Sequence, residues 1–342
     1  MSGKRILVTG GLGYIGSHTV VCLQEAGFEV LVVDDCSNSS EKVLDGIAAI
    51  SGKRPHFSKL DLRDKKAAEA YFESHLNIDG VIHFAASKAV GESVADPLKY
   101  YENNIGGLVY VLQACVKHRI NNFIFSSSCT VYGEPDSLPI DESAPVKPAA
   151  SPYGNTKQVG EEIIIESCKA YGLQAISLRY FNPIGAHESA EIGELPLGVP
   201  QNLVPFITQT AAGIREELQV FGDDYPTPDG SCIRDYIHVV DIAEAHMVAL
   251  YRLLEQKNNS DYEVFNLGTG AGSSVFDVIS TFEKVSGQAL PYKVANRRAG
   301  DIISVYADTK KANEVLGWKA RFNNEDALGS AWKWEQKIRS KS

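Results

Sequence analysis

The stretch Arg5-Ile6-Leu7-Val8-Thr9-Gly10-Gly11-Leu12-Gly13-Tyr14-Ile15-Gly16 decides the fold. Residues 5–8 are apolar and read as a buried strand, and a helical pattern begins at Ser17. Between them, Gly10, Gly13 and Gly16 are spaced GxxGxxG, with Tyr14 and Ile15 inside the turn. Glycines at such a junction permit a tight turn, close approach of backbone to a pyrophosphate, and close packing of helix on strand. The helix start then offers bare N–H groups and a positive dipole end to the phosphates. Glycine-rich turns are common, so it is the strand–turn–helix setting that points to a dinucleotide. A second apolar run, residues 29–33, ends in Asp34-Asp35, and Asp34 lies eighteen residues after Gly16. An acid there accepts a hydrogen bond from an adenosine ribose 2′-hydroxyl and repels a 2′-phosphate. No arginine neighbours it in the sequence, which favours NAD over NADP.

Further strand-like runs lie near 56–62, 80–86, 122–128 and 174–182, with helical patterns near 16–27, 64–75, 97–118 and 153–172. Near-continuous apolar strands separated by helices imply a parallel sheet covered on both faces. The expected class is α/β: a Rossmann-type doubly wound parallel sheet with a smaller α/β C-terminal substrate domain. Residues 1–182 read as the NAD-binding domain, rejoined by about 234–258, and residues 183–342 as mostly the substrate domain. The change of character at 183 rests on loop signals such as Pro183, Gly185, Gly193, Pro196 and Pro200, between helical stretches near 203–214, 238–255 and 274–286. Residues 337–342 read as a frayed end. Ligands of such sheets bind outside the carboxyl ends of the strands. That rule picks out the glycine loop, Asp34, Asp61-Leu62, Phe84-Ala85 and Ser126-Ser127-Ser128.

Tyr153 and Lys157 stand four residues apart in a helical pattern, on one face and roughly 5–6 Å apart at Cβ. A free tyrosine loses its proton near pH 10 and is a poor base at neutrality. An ammonium beside it stabilises the phenolate and lowers that pKa. Ser128, at the carboxyl end of a strand, could share a substrate proton with the phenol. The pattern YxxxK by itself also describes two solvated side chains, and its weight comes from the surrounding motifs.

Composition narrows the class. The chain has 342 residues, 44% hydrophobic and 22% charged, enough for a large core in about two domains. A net charge of −10 argues against nucleic acid or an acidic membrane surface as partner. No apolar run reaches the roughly 18 residues that span a bilayer, and Lys4-Arg5 lead directly into a strand, unlike a signal peptide. The six cysteines are never closer than 14 residues apart, which is neither a zinc spacing nor a secreted disulfide framework. A reducing cytoplasm is the expectation. The eight histidines form no HExxH-like cluster, so no catalytic metal is expected.

The segments HFAASKAVGES (83–93), FSSSCTVYG (125–133), SPYGNTK (151–157), LRYFNPIGAH (178–187), FGDDYPTPDGSCIRDYIHVVDIA (221–243) and RRAGD (297–301) follow the glycine loop in order. Together they resemble the UDP-galactose 4-epimerases of the extended short-chain dehydrogenase/reductase family, over residues 5–335. YxxxK and the glycine loop are shared across the superfamily, whereas the combination of SPYG, RYFNP and RDYIHV is much more specific. The resemblance implies a tightly held NAD, reduced and reoxidised within each cycle, and C4 epimerisation of UDP-hexoses through a transient 4-keto sugar. Tyr153 would be the base, Lys157 would bind the nicotinamide ribose and depress the tyrosine pKa, and Ser128 would hydrogen-bond the sugar O4. The positive charge of bound NAD would favour the phenolate further.

On the NAD side the resemblance adds Tyr14, Ile15, Asn38, Ser39, Asp61, Leu62, Phe84, Ala85, Lys88, Asn103 and Tyr180. Around the UDP-sugar it places Asn182, Asn202, Leu203, Phe221, Arg234, Arg298, Asp301 and Val305. Guanidinium groups suit a pyrophosphate because they form bidentate, charge-assisted bonds. The competing reading of each arginine is a salt bridge, Arg234 with the neighbours of Asp235 or Arg298 with Asp301; Phe221 and Leu203 could equally be core. Val305 takes a position that borders the sugar C2 substituent in that family. A tyrosine there goes with simple hexoses and a smaller residue with N-acetylhexosamines, so valine implies acceptance of both. Cys129 stands where the family has a small residue such as alanine, and packing is its expected role. A two-fold dimer through the helices near 97–118 and 153–172 is also implied.

Two other functions share parts of this pattern. A sugar-nucleotide 4,6-dehydratase uses the same fold, NAD, Tyr and Lys, but that family places an Asp-Glu pair before the VYG-like tripeptide; here Cys129-Thr130 stand there. A non-catalytic NAD-sensing regulator typically lacks the tyrosine–lysine pair, whereas Ser128, Tyr153 and Lys157 are all present.

Overall fold

The structure, a computed structural model, describes residues 3–298 and 301–340. Ala299 and Gly300, the middle of the 297–301 motif, lie outside the described residues, as do residues 341–342 of the expected frayed end.

Seven strands build the central sheet: β1 (Arg5–Thr9), β2 (Glu29–Asp34), β3 (His56–Lys59), β4 (Gly80–His83), β5 (Asn122–Ser128), β6 (Gln174–Tyr180) and β7 (Tyr262–Leu267). Their spatial order is β7-β6-β5-β4-β1-β2-β3, and every pairing in it is parallel. The chain therefore winds outward from β1 in two directions, the doubly wound arrangement.

The longer helices are α1 (Tyr14–Glu25), α2 (Val43–Ser51), α3 (Lys65–Ser74), α4 (Gly107–His118), α5 (Pro152–Tyr171), α6 (Leu203–Ala211), α7 (Val239–Leu254), α8 (Val275–Ser286) and α9 (Asn324–Ser340). Alternate strand residues serve the two faces. Ile6, Val8, Val30 and Val32 pack with Val20 and Leu23 of α1 and Ile242, Ala249 and Leu250 of α7. Leu7, Leu31 and Val33 pack with Phe72 of α3, Leu108, Val111 and Leu112 of α4, and Ile164 of α5. Burying such a side chain contributes about 1.5–3 kcal/mol, so both faces must be covered, and helices do so. Leu108, Val111, Leu112 and Ile164 thus face the sheet, while Val109, Ile163 and Ile165 are only half-buried.

The pattern near 97–118 is not one regular helix. It is a short helix, Pro97–Tyr101, a single π turn, Glu102–Gly106, and then α4. The π turn carries Asn103 and Asn104. Asn104 bonds both the Ser87 N–H (2.8 Å) and its carbonyl (3.0 Å), and so ties α4 to the loop after β4.

A third core forms from Ile184, Val204, Leu218, Tyr236, Phe282, Leu328 and others, where α6, α8 and α9 meet. Small strand pairs surround it: Asn182–Ile184 with Tyr236–His238, Leu218–Phe221 with Tyr292–Ala295, and Ile233–Arg234 between Ser273–Ser274 and Ser304–Val305. The expectation of a frayed 337–342 is corrected through residue 340. Ala327, Leu328 and Ala331 are buried, and Lys337 pairs with Glu191 at 2.6 Å, so α9 runs to Ser340. No helix among the described residues is long and apolar enough to cross a membrane.

Candidate active site

The first cradle forms where β1 hands over to α1. Gly10 has φ +67°, and a Cβ on it would lie 2.7 Å from the Ala85 nitrogen at the end of β4. On Gly16 a Cβ would collide with the Gly10 carbonyl. These glycines let the loop draw close to the next strand and bring α1 down onto it. Gly13 caps α1 with no side-chain hydrogen bond, and the first turn holds no acid. The helix start is therefore uncompensated, as an anion site requires.

Asp34 ends β2 and is 8% exposed. One carboxylate oxygen accepts from the Leu12 N–H (3.0 Å). The other accepts from the Cys36 N–H (2.9 Å) and the Ser39 hydroxyl (2.7 Å). A carboxylate has about four lone-pair sites, so one is left for a ribose hydroxyl. The glycine loop, the bare helix end and this acid fit NAD.

Other residues expected on the NAD side sit along the same edge in different states. Phe84 and Ala85 follow β4 and are half-buried, and Leu62 is buried. Asn38 is exposed on the loop after β2. Asp61 is engaged by Arg63 at 2.7 Å. Asn103 donates to the Ser87 hydroxyl at 3.1 Å. Lys88, half-exposed, pairs with Glu194 at 3.0 Å.

The second group is the chemistry itself. β5 delivers Ser126, Ser127 and Ser128 to the carboxyl edge, and α5 delivers Tyr153 and Lys157 beside them. Ser151 caps α5 by accepting from the Gly154 N–H at 3.2 Å, which sets where its first turn begins. The Ser128 hydroxyl lies near enough to the Tyr153 phenol to favour its ionised form. Lys157 is 4% exposed; its Nζ donates to the Ser126 carbonyl at 2.6 Å and lies 5.9 Å from the Tyr153 ring centre. The Tyr180 and Ser126 hydroxyls are also bonded.

The expected depression of the tyrosine pKa is not a property of the chain alone. Burial pushes Tyr153 up to about 12, only partly offset by the nearby Ser128 hydroxyl. The reason is visible in Lys157. Its ammonium is aimed at a backbone carbonyl, and burial lowers its own pKa to about 8.

Behind these residues runs a buried polar chain that sequence reasoning missed. The Ser127 hydroxyl donates to Glu161. Glu161 accepts from Arg179 Nε at 2.9 Å. Arg179 Nη1 donates to the Tyr132 phenol at 3.0 Å, and that phenol donates to Asn266 at 2.7 Å. Two signals were readable: Glu161 lies four residues beyond Lys157 on the same helix face, and Arg179 interrupts an apolar strand.

On the substrate side, Arg234 makes no bond to a carboxylate among the described residues; its Nη1 bonds the Ile233 carbonyl at 2.9 Å, and its charge reaches the Cys129 thiol. Asp235 faces the other way. It is fully buried and accepts from the Thr269, Gly270 and Ala307 N–H groups at 2.8–3.2 Å. Arg298 does pair with Asp301 at 3.0 Å, and its guanidinium stacks 4.6 Å from the Phe221 ring centre. Phe221 is half-exposed and Leu203 lines the third core from its rim. Asn182 donates its backbone N–H to Asp235 at 2.9 Å, and Asn202 donates to Glu194 at 2.7 Å. Val305 is 6% exposed and packs with Val131, Tyr132, Phe181 and, at the edge, Cys129. Burial pushes the Cys129 thiol up to about 12, which leaves it a packing group.

An open depression of about 610 Å³ lies at the opposite, amino edge of the sheet, lined by Lys4, Asn122, Gln174 and Asp261 among others. It gathers none of the residues above and lacks the carboxyl-end dipoles and loops that bind ligands in this fold. Among the described residues no group of three or more His, Cys, Asp or Glu could hold a metal ion.

Residues 6–268 match the model of the NAD dependent epimerase/dehydratase family. A UDP-glucose 4-epimerase of Bacillus subtilis is 48% identical over 331 residues, covering 96% of each chain. Among solved structures, the chain is similar to a UDP-glucose-4-epimerase from Stenotrophomonas maltophila with bound NAD and formylated UDP-arabinopyranose, with TM-score 0.95, 45% identity, and 99% and 100% of the two chains covered. It is also similar to a UDP-glucose 4-epimerase from Bifidobacterium longum in complex with NAD+ and UDP, with TM-score 0.93, 44% identity, and 98% and 99% covered.

Proposed function

The chain belongs to the NAD dependent epimerase/dehydratase family, and from that premise we propose that it is an isomerase interconverting UDP-galactose and UDP-glucose at C4. The observation that carries this reading is the meeting of Ser128, Tyr153 and Lys157 at the carboxyl edge, with an uncommitted Arg234 beside the turn that Ser128 begins. NAD, which the glycine loop and Asp34 would hold, would supply the acceptor and donor for the hydride of the sugar C4. Tyr153 takes the O4 proton and gives it back. Ser128, beside that phenol, passes the proton between the sugar oxygen and Oη. Lys157 holds the nicotinamide ribose and adds positive charge that favours the phenolate. Arg234 and Arg298 hold the pyrophosphate, and Phe221, Leu203, Asn182, Asn202 and Asp301 hold the rest of the UDP. Asp34, Asn38, Ser39, Asp61, Leu62, Phe84, Ala85, Lys88, Asn103 and Tyr180 hold NAD with the glycine loop.

Residues 1–182, rejoined by about 234–258 and by β7, whose strand pairs with β6, serve as the cofactor domain, and most of the remainder serves the UDP-sugar. A dehydratase would need an acid before Val131, and Cys129, held protonated by burial, does not supply one. The regulator reading is disfavoured by the intact proton-transfer group. The decisive experiment is to incubate the purified protein, without added cofactor, with UDP-galactose. UDP-glucose should form, and denatured protein should release NAD; neither appearing would overturn the reading.

Valine at 305 is much smaller than the tyrosine that goes with simple hexoses, so UDP-N-acetylglucosamine is proposed as a second substrate. Val305→Tyr should abolish that activity and largely spare UDP-glucose; a wild type inert towards the N-acetyl sugar would end this part of the proposal. The chain works as a homodimer in the cytoplasm. Support for the dimer comes from Val109 and Ile165, which the sheet leaves only half-buried on the two helices. A molar mass near 37.2 kDa in solution, that of one chain, would refute it. The six cysteines are all free, in keeping with a reducing compartment.

A further inference from the structure

Glu194 was not singled out by its sequence, yet its carboxylate stands between the two ligand sides. Oε1 accepts from Lys88 Nζ at 3.0 Å and from Asn202 Nδ2 at 2.7 Å. The side chain of Glu194 is 12% exposed, against 46% for Lys88. Lys88 in turn lies 5.7 Å from the ring centre of Tyr14, in the first turn of α1 next to the glycine loop, and Asn202 is the residue before α6. The backbone at Glu194 is fixed independently. Its carbonyl accepts from Trp334 Nε1 of α9 at 2.8 Å. The indole lies so close over Gly193 that a Cβ there would sit 2.5 Å from it. A carboxylate held this way is a rigid strut with a flexible cation on one side and an amide on the other.

We propose that Glu194 is a positioning residue that couples the grip on NAD to the grip on the uridine nucleotide. Lys88 and Asn202 reach their ligands through a shared acceptor, so ordering either one against its ligand orders the strut for the other. Coupling between two ligand sites is reciprocal: whatever UDP does to NAD affinity, NAD does to UDP affinity. This deepens the proposed function and rests on it, because it assigns Lys88 to the NAD side and Asn202 to the UDP side.

The test measures NAD release from the purified protein, by separating free from bound nucleotide over time, with and without saturating UDP. No turnover enters the readout. In wild type, UDP should slow release by roughly fivefold or more, the low end of typical coupling. Glu194→Ala should release NAD faster and lose the UDP effect. Glu194→Gln, which keeps an acceptor for Asn202 but no charge for Lys88, should retain only part of it. In turnover, Glu194→Ala should raise KM for UDP-glucose much more than it lowers kcat. An unfolded Glu194→Ala would show in its melting curve, and Glu194→Gln then carries the test. Retention of the full UDP effect by Glu194→Gln and Glu194→Ala, or a wild type whose NAD release ignores UDP, overturns the inference. A wild type that carries no NAD or does not epimerise overturns the functional reading instead.

Discussion

The Tyr153 phenol is the residue on which turnover depends, and its surroundings set an unusual demand. Burial holds it up near 12, so at neutral pH the chain by itself keeps the proton on. Base strength must come from charge brought near the ring, and Lys157 is the charge the chain supplies, 5.9 Å from the ring centre. Replacing Tyr153 with Phe keeps the ring and removes the proton carrier. Retained NAD and UDP binding with turnover reduced roughly 10²–10⁴-fold is expected, the usual worth of a positioned acid–base group; near-normal kcat would rule out this role. Asp34 is the corresponding residue for cofactor choice. Asp34→Ala deletes an acceptor while stranding the Leu12 and Cys36 N–H groups that now bond it. Retention of NAD should weaken by about ten- to a hundredfold, the equivalent of one hydrogen bond to a charged group at about 1.5–3 kcal/mol. Recovery of mainly NADP from wild type would contradict the assignment.

At the scale of elements, the fold was legible where the hydrophobic pattern was strong. β5 spans Asn122–Ser128, the very run the apolar pattern marked, and α5 lies within a residue of the 153–172 expectation. Less legible were elements whose pattern depends on distant partners. β7 is half polar in sequence, Tyr-Glu-Val-Phe-Asn-Leu, because Glu263 is drawn to Arg252 and Asn266 to Tyr132. α9 carries charge at nearly every turn, and only a narrow stripe of Ala327, Leu328, Ala331 and Glu335 is buried. The site followed the same rule. Motif residues could be found because their spacing is local, whereas Glu161, Arg179 and Glu194 acquire meaning only through contacts made across the fold. The Glu161–Arg179 pair joins α5 to β6 with both side chains 7% exposed. Glu161→Gln would leave a buried guanidinium without its counter-charge, at an expected loss of about 3–5 kcal/mol. The double change Glu161→Leu with Arg179→Met should recover much of that loss while disturbing the Ser127 end of the chain. Denaturant titration of the three proteins decides it, and a loss under about 1 kcal/mol in the single variant would mean the pair is solvated.

For the whole molecule, the interior encloses four histidines that the site does not use as acids or bases. His18, His83, His238 and His246 are each at most 4% exposed. Burial depresses them to about 3, 3, 4 and 4, against roughly 6.5 in an unfolded chain. Between about pH 4 and 6.5 the unfolded chain therefore binds more protons than the folded one, and stability rises with pH across that window. Stability should accordingly be lost as pH falls below about 6.5, each histidine contributing about 1.4 kcal/mol per pH unit once its unfolded form is protonated. Four acting together approach about 5 kcal/mol per unit, a large share of the 5–15 kcal/mol that typically separates folded from unfolded. Asp235 and Asp241, raised by burial, work the other way. They retain protons that unfolded carboxyls have already released, so they oppose the histidine slope above the ordinary carboxyl range. Urea midpoints measured from pH 7.5 down to 5 should fall steadily, with no comparable fall from 8.5 to 7.5. His246 gives the sharper check, because its Nε2 has no partner among the described residues and its ring lies against Phe84 and Tyr180. His246→Phe removes one titrating group from an apolar setting, so the acid slope should drop by about one proton while the neutral-pH stability holds or rises. An unchanged slope in that variant would place the acid sensitivity elsewhere than in the buried imidazoles.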